Sequence, residues 1–589
     1  MTMRKLIVFM MVMGLWLGGC AKPDPKPDDT EPTIEEKVAQ MIQAERYSLS
    51  QSDQENYQLG SVLSGGGSVP QSNTPQGWLD LIASYQEVSD IPVIYGVDAV
   101  HGHNNAGGAT IFPHNIGLGA TNDPELIKKI GIAVGKELLT TGVHWNFAPC
   151  LAVVQDIRWG RTYESYSENP QLVSDLGTAY IQGLQSTGIA ATAKHYLADG
   201  GTVFGTSGGS YKIDQGDAQL DEETLRAIHL YPYLSAIAQG NVLSVMISFS
   251  SINGLKMHAN DYWINDVLKD ELNFKGLVVS DWEAIHQLEG SLYMQLVAAV
   301  NAGVDLLMEP NNWKNVYTTM LRAVKNGDIA EERIDDAFSR IQYVKKQLGL
   351  IDATFPQGKA SDFNAEEHRA LAREAVSKSL VLLKNNNVLP LAKSSNILLI
   401  GPGADNAGLA SGGWTVSWQG EMNDAKLPQA TTLKEAFESV ANENGATIFT
   451  DVAQVNQADV VVVVLSETPY AEGVGDASDL GLSGNTMHPD NAAAIAFART
   501  SKKPVVVLLN SGRPRVVGDE IEEWDALVMT WLYGSEAQGI TDVLYGDLDF
   551  TGKLPVSWPK TSDTSDTSSM AGDRDLDNVL FDFGYGLHY

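Results

Sequence analysis

The chain has 589 residues, of which 43% are hydrophobic and 19% charged, a composition that excludes a disordered protein and a single small domain. Its 40 basic and 73 acidic side chains give a net charge of −33 at pH 7, so it would be repelled by phosphate backbones, and we expect no nucleic acid partner. The two cysteines, Cys20 and Cys150, are too few for a disulfide framework or a cysteine-rich metal site.

The N-terminus has the pattern of an export signal. A basic start precedes the apolar run 6–17, which is too short to span a bilayer comfortably, and the string Leu17-Gly18-Gly19-Cys20 is typical of a bacterial lipobox. We expect residues 1–20 to be a lipoprotein signal peptide and Cys20 to carry the lipid. Residues 21–33, rich in Pro, Asp and Lys, then form an extended tether. This predicts secretion across the inner membrane and a lipid anchor in the bacterial cell envelope, in the periplasm or at the outer membrane.

Short apolar runs alternate with amphipathic helical stretches between residues 34 and 350. Buried strands that alternate with helices indicate a parallel sheet, and a span of about 300 residues with this many repeats favours a (β/α)8-type barrel. The apolar runs are 92–97, 143–148, 189–193, 242–247, 277–279 and 304–308.

A second α/β region covers residues 395–560, and residues 351–394 are predicted to link it to the barrel. Its apolar runs are nearly continuous, which favours an open sheet covered on both faces, an α/β sandwich domain. In the C-terminal tail, 561–589, the Ser/Thr-rich segment 561–569 is expected to be a surface loop, whereas 580–587 is aromatic enough to pack onto the body. The predicted strands are 396–400, 446–450, 459–465, 504–509 and 526–531.

Reactive or hydrogen-bonding side chains follow several of the barrel strands directly. The carboxyl ends of the strands form the active face of a βα-barrel, so these side chains should converge on one pocket although they are far apart in sequence. They are Asp98 and His101, Lys194 and His195, Ser248, and the triplet Ser280, Asp281 and Trp282.

At these residues the chain resembles glycoside hydrolase family 3, nearest to its bacterial and plant exo-β-glucanase and β-glucosidase branch. The resemblance extends over nearly all of residues 34–589. It is carried by the strings Gly96-Val97-Asp98-Ala99-Val100-His101-Gly102, Phe112 to Thr121, Arg158-Trp159-Gly160-Arg161, Lys194-His195, Val278-Val279-Ser280-Asp281-Trp282 and Gly412-Gly413-Trp414-Thr415.

The resemblance implies a pair of catalytic carboxyl groups. Retaining glycoside cleavage needs two such groups about 5 Å apart, one as the nucleophile and one as the acid/base. Asp281 matches the nucleophile, and we expect cations such as Lys194 to keep its pKa low. In the family the acid/base comes from the second domain, two residues after a tyrosine, which selects Glu472; its pKa should be raised. Glu467, nearer the end of the preceding strand, is the competing candidate.

The resemblance also implies how a terminal glucose is held. It assigns Asp98, Arg161, Lys194 and His195 to the sugar hydroxyls, which a carboxylate accepts from and cationic side chains donate to. His101 and His114, by contrast, we interpret as structural residues. Discrimination among sugars would follow because a missing or inverted hydroxyl leaves a buried polar group unpaired.

Aromatic residues are candidates for a clamp on the next sugar. Trp282, Trp414 and Trp418 match tryptophans that surround the second subsite in plant relatives, and Phe249 stands where relatives can carry Tyr. An indole ring packs well against the C–H groups of a pyranose face.

Two departures from the family pattern lie near the expected pocket. Residues 205–212 look like an insertion that borders the mouth of the pocket, and Asp214 follows it as a candidate neighbour of the acid/base. Cys150 has no partner where plant relatives carry a disulfide. We interpret it as a buried free thiol.

Together these features predict a retaining, exo-acting β-glucosidase or exo-β-glucanase that releases glucose from the non-reducing ends of β-glucans, without cofactor or metal. The alternatives are a β-xylosidase, a β-N-acetylglucosaminidase and a non-catalytic glycan-binding lipoprotein. The sequence leaves open the preferred linkage, the chain-length preference, the oligomeric state and the membrane leaflet. The run Gly65-Gly66-Gly67 lacks a P-loop or dinucleotide fingerprint, so a nucleotide site is disfavoured.

Overall fold

The structure is a computed structural model, which describes residues 31–589. The predicted signal peptide, Cys20 and residues 21–30 of the tether lie outside the described residues. Within the described part of the chain, no helix combines the length and the apolar character needed to cross a membrane.

Eight short parallel strands of residues 31–350 form a closed barrel, as the sequence predicted. The strands of this region are β1 Ile42–Glu45, β2 Ser61–Ser64, β3 Ile94–Val97, β4 Trp145–Asn146, β5 Thr192–Tyr196, β6 Asp217–Ala218, β7 Ser244–Ile247, β8 Ser251–Ile252, β9 Leu255–Lys256, β10 Leu277–Val279 and β11 Leu307–Met308. β1, β2, β3, β4, β5, β7, β10 and β11 follow one another around the ring, and β11 pairs with β1. Single parallel bridges join β4 to β5 and β10 to β11, at Trp145–Ala190 and Val279–Leu306. β6, β8 and β9 form a separate small sheet.

Helices surround the barrel, and their apolar faces cover it. Two of the longer ones, α5 and α6, begin at well-defined caps: Asp123 accepts from the N–H of Leu126, and Asn169 accepts from the N–H of Leu172, with a proline at the first position of each helix. The helices are α1 Ile34–Gln40, α2 Gln51–Tyr57, α3 Pro75–Gln86, α4 Asn115–Thr121, α5 Pro124–Thr140, α6 Pro170–Gln185, α7 Glu222–Thr224, α8 Tyr231–Ala238, α9 Leu292–Asn301, α10 Trp313–Asn326 and α11 Glu331–Gln347, with π-helical turns at Leu225–Leu230 and Tyr262–Glu271.

A six-stranded sheet forms the centre of the second domain. The elements of this domain are α12 Glu366–Ser379, β12 Val381–Asn385, β13 Ile397–Ile400, α13 Ala407–Ser411, α14 Leu433–Asn444, β14 Ile448–Phe449, β15 Val460–Ser466, α15 Asn491–Thr500, β16 Val505–Asn510, β17 Ala526–Met529, α16 Gln538–Leu544, β18 Trp558–Pro559 and β19 Val579–Phe581. The strand order is β12-β17-β16-β15-β13-β14, and β12 is its antiparallel edge. Alternate residues of β15 enter two different hydrophobic clusters, one on each face, because both faces are covered.

The segments on either side of this sheet are more ordered than the sequence suggested. Residues 351–394, expected to link the domains, include α12 and the edge strand β12. The tail packs back onto the body: β19 pairs with β18, and Leu587 bridges to Leu382. The segment 561–569 is not simply a surface loop, because Thr564 is buried and donates to Asp156 of the barrel at 2.6 Å.

Candidate active site

A cavity of about 840 Å³ opens at the carboxyl ends of the barrel strands, and the second domain supplies part of its wall. Ten of the eleven predicted site residues line this cavity. They are Asp98, Arg161, Lys194, His195, Phe249, Asp281, Trp282, Trp414, Trp418 and Glu472. The convergence expected from the strand ends therefore occurs, and it includes three residues of the second domain.

Asp281 lies two residues after β10 and is 9% exposed. Its Oδ1 accepts the backbone N–H of Trp282 at 2.7 Å, which fixes the orientation of the carboxyl group. Its own N–H donates to Nε2 of His258 at 3.1 Å. Oδ2 has no hydrogen-bond partner among the described residues, and it lies 3.7 Å from Nε2 of His195. One oxygen is thus held by the backbone and the other is left free for chemistry.

Burial determines the pKa of Asp281. It raises the pKa from the usual 3.8 to about 6, although Arg161 and Lys194 act in the opposite direction. The expectation that neighbouring cations keep this pKa low is therefore wrong. The carboxyl group is still mostly ionised at neutral pH, because pH 7 lies above its pKa.

His195 is held as a neutral ring. Burial and the neighbouring Arg161 and Lys194 lower its pKa well below the usual 6.5. Nη2 of Arg161 lies 3.1 Å from Nε2 of His195. Because a guanidinium can only donate, Nε2 of His195 is the acceptor and Nδ1 carries the proton. Nδ1 then donates to Oδ2 of Asp199 at 2.7 Å. The imidazole is thereby fixed in one tautomer beside Asp281.

Arg161 is oriented by Glu164, a buried residue that the sequence analysis did not single out. Its Nε and Nη2 donate to the two carboxylate oxygens of Glu164 at 2.9 and 3.0 Å. Glu164 Oε1 also accepts from the indole N–H of Trp414 at 3.1 Å. The same carboxylate therefore positions a cation from the barrel and an aromatic wall from the second domain.

Glu472 reaches the cavity from the loop that follows β15, at the start of the 3-10 turn Glu472–Gly475. Its backbone has a φ of +54°, in the left-handed region that non-glycine residues rarely adopt. Oε1 lies 3.6 Å from Nη1 of Arg161. Burial raises its pKa to about 8 against the lowering effect of Arg161, with further increases from Asp214 and Asp281. The group is protonated at neutral pH, in agreement with the expectation.

Asp476 anchors the loop that carries Glu472 to the barrel. Its Oδ1 accepts the N–H of Gly160 at 2.8 Å. Its Oδ2 accepts three successive backbone N–H groups, of Lys212, Ile213 and Asp214, at 2.9, 2.8 and 3.0 Å. Charge-assisted bonds to a carboxylate are among the stronger hydrogen bonds in proteins. One side chain thus joins the second domain to two loops of the barrel.

Glu467, the competing candidate, lies outside the cavity. It forms an ion pair with Arg515, lies 3.7 Å from Arg513, and accepts from the hydroxyl of Tyr470 at 3.0 and 3.1 Å. It is 2% exposed. Its oxygens are used by the core of the second domain, whereas Glu472 lines the cavity.

Asp98 and Lys194 form one charged wall of the cavity. Lys194 Nζ lies 3.3 Å from Asp98 Oδ1, and its ammonium group lies 5.8 Å from the ring centre of Trp414. Burial raises the pKa of Asp98, and the positive charge of Lys194 opposes this. The pair presents a carboxylate and an ammonium side by side, which suits neighbouring hydroxyls on a sugar.

The three tryptophans differ in exposure. Trp282 is 37% exposed and Trp418 is 38% exposed, whereas Trp414 is 6% exposed and forms a fixed wall. The glycine loop 65–67, for which the sequence suggested no role, packs against both exposed tryptophans, against the ring of Trp282 and the backbone of Trp418. A Cβ at Gly65 would lie 2.8 Å from the Trp282 ring, and a Cβ at Gly66 would lie 2.9 Å from Cα of Trp418.

Asp214 lies beside the acid/base loop as expected, since its N–H donates to Asp476, but it does not line the cavity, so its inclusion among the substrate-binding residues is wrong. Its Oδ1 accepts from the indole N–H of Trp159 at 2.9 Å, and the residue is 2% exposed. It influences the site through charge, since it raises the pKa of Glu472. Phe249, in contrast, does line the cavity, and its carbonyl accepts from Lys256 Nζ at 2.7 Å.

The expected structural residues His101 and His114 lie behind the cavity. Their rings stack at 3.7 Å, and each is bonded to the protein: Nδ1 of His101 with the carbonyl of Phe112, and Nε2 of His114 with that of Gly413. Burial lowers the pKa of both. The insertion 205–212 borders the acid/base loop, because the ring of Tyr211 covers Gly473.

Cys150 is a buried free thiol, as expected. Among the described residues, its sulfur lies within 4.8 Å of ligand atoms of His195 and Asp199. Burial raises the pKa of the thiol, which disfavours the thiolate that a metal would need. The absence of a metal requirement stays a prediction.

Glycoside hydrolases cleave their substrates with one ionised and one protonated carboxyl group, and this cavity holds one of each. The model of the Glycosyl hydrolase family 3 N terminal domain matches residues 33–344, and that of the family's C-terminal domain matches residues 380–589. The chain belongs to glycosyl hydrolase family 3.

Several proteins of known character are similar to this chain over most of its length. The crystal structure of an exo-1,3/1,4-beta-glucanase from a Pseudoalteromonas species superposes with a TM-score of 0.87 at 42% identity, covering 95% of this chain and 73% of that one. A lysosomal beta glucosidase of Dictyostelium discoideum is 31% identical over 95% of this chain and 74% of its own length. A beta-xylosidase of Formosa agariphila is 31% identical over 85% of this chain and 75% of its own length.

Proposed function

We propose that this protein is an exo-acting, retaining β-glucosidase or exo-β-glucanase that releases glucose from the non-reducing ends of β-glucans and their oligosaccharides. The observation that carries the proposal is the pair Asp281 and Glu472, which enter one cavity from different domains. The pKa of the first is about 6 and that of the second about 8, so at neutral pH one is ionised and the other protonated.

The two carboxyl groups have different roles in the reaction, Asp281 as the nucleophile and Glu472 as the acid/base. The free oxygen of Asp281 attacks the anomeric carbon while Glu472 gives its proton to the departing glycosidic oxygen, and a glycosyl ester forms on Asp281. Glu472 is then a carboxylate and removes a proton from the incoming water. The water oxygen replaces Asp281 at the anomeric carbon, which releases the β-anomer and restores both carboxyl groups to their first protonation states.

The charged wall supports recognition of a complete terminal glucose. Asp98 accepts from hydroxyls, and Lys194 and Arg161 donate to them. Lys194 and Arg161 are buried and the side chain of Asp98 is 15% exposed, so a hydroxyl that is missing or inverted would leave one of these groups unpaired. The similarity to an exo-1,3/1,4-beta-glucanase supports β-1,3- and β-1,4-linked glucans as the substrate class.

The alternative activities differ in a measurable way. A β-xylosidase would cleave an aryl β-xyloside better than an aryl β-glucoside, and a β-N-acetylglucosaminidase would prefer the corresponding N-acetyl substrate. A non-catalytic glycan-binding protein would cleave none of them.

The test is a panel of these aryl glycosides with laminari- and cello-oligosaccharides, with product anomers followed by proton NMR. We expect the highest kcat/KM on glucosides, β-glucose as the first product, and loss of turnover in Asp281→Asn. Release of α-glucose, or a wild type that binds glucans without cleaving them, would contradict the proposal.

We further propose that the protein is exported and lipid-anchored through Cys20 in the bacterial cell envelope. The lipobox-like string and the polar segment 21–33 support this. Metabolic labelling with a radioactive fatty acid should mark the wild type and not Cys20→Ala. An unlabelled wild type in the membrane-free fraction would contradict it.

A further inference from the structure

Apart from Asp281 and Trp282, which follow β10, the side of the cavity formed by the consecutive strands β10, β11, β1 and β2 has no assigned role. Glu283, Asn311, Tyr47 and Ser68 follow these strands and line the cavity. The groups expected to hold the terminal glucose, Asp98, Arg161, Lys194 and His195, lie on or beside β3, β4 and β5. Because the strands are ordered around the barrel, the first set lies on a different part of the rim from these groups, and Asp281 lies at the edge of that part, after β10.

Tyr47 is the most exposed aromatic residue of this rim, with 71% of its surface accessible. One face of its ring is covered by the guanidinium of Arg46, whose Cζ lies 3.7 Å from the ring centre. A stack of this kind holds a ring in place and favours the flat presentation of its other face.

The support beneath Tyr47 is itself fixed. Arg46 Nε donates to the hydroxyl of Ser68 at 3.0 Å, and its Nη2 donates to the carbonyl of Val69. Glu45, which is 5% exposed, accepts the N–H of Tyr47 and the hydroxyl of Ser68. A platform that is already rigid loses little conformational entropy when a ligand binds to it.

The glycine loop connects this platform with the open tryptophans. Gly65 packs against Trp282 and Gly66 against Trp418, and Ser68, two residues further on, holds the guanidinium under Tyr47. The loop thus contacts both tryptophans and the support of Tyr47, and all three aromatic residues line the same cavity. The exposed ring of Tyr47 therefore extends the aromatic lining beyond the residues expected to hold the second sugar.

We propose that Tyr47 is the aromatic platform of an additional sugar subsite, which receives the third glucosyl unit of a β-glucan oligosaccharide. The proposal rests on the proposed function, because it extends the same cavity. Asn311 Nδ2 donates to Glu283 Oε1 at 3.1 Å, and this pair offers hydrogen bonds to the hydroxyls of that unit. The ligand is a neutral glucan, since the carboxylate of Glu283 and the net charge of −33 oppose anionic glycans.

The test compares chain lengths in Tyr47→Ala, Tyr47→Phe and the matched control Tyr343→Ala, which removes an exposed tyrosine of α11 that does not line the cavity. The ratio of kcat/KM on trisaccharides to that on disaccharides should fall roughly three- to ten-fold in Tyr47→Ala, as expected for loss of one stacking contact. It should stay at the wild-type value in Tyr47→Phe, which keeps the ring, and in Tyr343→Ala.

Laminari- and cello-oligosaccharides form the two arms of this experiment, and a fall in either arm supports the subsite for that linkage. An unchanged ratio in both arms would overturn it, as would an equal fall in Tyr343→Ala. If the wild type fails to cleave any glucoside, the proposed function fails separately. The subsite is then tested by calorimetry, in which laminaritriose and cellotriose should lose affinity on Tyr47→Ala, and unchanged affinity would refute the subsite.

Discussion

Nη1 of Arg161 lies 3.6 Å from Oε1 of Glu472, so a cation of the barrel meets the carboxyl group that the second domain contributes. The same guanidinium contacts His195, which lies beside Asp281. Arg161 thus connects the two carboxyl groups of the proposed reaction. Its charge lowers both of their pKa values, and burial raises them more.

The pH dependence of kcat/KM should be bell-shaped, with limbs near pH 6 and pH 8. Activity should rise with pH through the lower limb because Asp281 must be ionised. It should fall through the upper limb because Glu472 must keep its proton. Glu472→Gln should lose the alkaline limb on an activated aryl glucoside, and an unaltered limb in that variant would assign the proton donor elsewhere.

Gly160 controls the position of the acid/base loop. A Cβ at this residue would lie 2.0 Å from the carbonyl oxygen of Glu472. Gly160→Ala should therefore displace Glu472 and lower kcat/KM about 100-fold, the effect of a misplacement of about 1 Å. Gly208→Ala is the matched control, because a Cβ there meets nothing within 4 Å. Equal activity of the two variants would show that the loop tolerates the shift.

Asp476→Ala should destabilise the protein as well as reduce its activity. The change removes the acceptor for four backbone N–H groups, among them that of Gly160. We expect the free energy of unfolding to fall by about 3 kcal/mol. Chemical denaturation measures this, with Asp490→Ala, an exposed carboxylate of the same domain, as the control. If Asp476→Ala lowers the free energy of unfolding by less than Asp490→Ala does, water replaces the carboxylate as an acceptor without loss of stability.

Glu472→Ala should fold normally and lose most turnover of glycosides with poor leaving groups. Azide should partly restore turnover of an activated aryl glucoside, because a small anion can occupy the vacated space and attack the glycosyl ester. Equal loss on all leaving groups, with no effect of azide, would exclude Glu472 as the acid/base.

Glu467→Ala should behave differently, because it leaves Arg513 and Arg515 without their buried carboxylate. We expect a loss of about 3–5 kcal/mol in the free energy of unfolding and no rescue by azide. A stable Glu467→Ala variant that azide reactivates would reverse the roles of the two glutamates.

The sequence predicted the barrel because six of its eight strands coincide with apolar runs. It did not reveal β1 and β2, where polar residues face the interior and bond across the strands: Gln43 Nε2 donates to Ser61 at 2.7 Å, and Ser64 bonds with the hydroxyl of Tyr95 at 2.7 Å. Buried polar pairs of this kind break the apolar pattern. For the same reason the sequence gives no indication that Tyr47 and the glycine loop, which follow these strands, line the cavity.

The site could be predicted as far as its residues directly follow recognisable strands or match a family motif. Asp281 and Lys194 fall in this group. Glu164 and Asp199 do not, because their importance lies in the atoms they contact, Arg161 and His195. The pKa of Asp281 is higher than the sequence predicts, because a sequence indicates charged neighbours but not the degree of burial that outweighs them.

The proposed roles of Asp281 and Glu472 can be tested by identifying the residue that becomes covalently labelled during catalysis. A 2-deoxy-2-fluoro β-glucoside with a good leaving group forms its glycosyl ester faster than water removes it, so the ester accumulates. Peptide mass spectrometry of the inactivated protein should place the sugar on Asp281, with the label absent from Asp281→Asn. A label on any other residue, or steady turnover without an ester, would contradict the account.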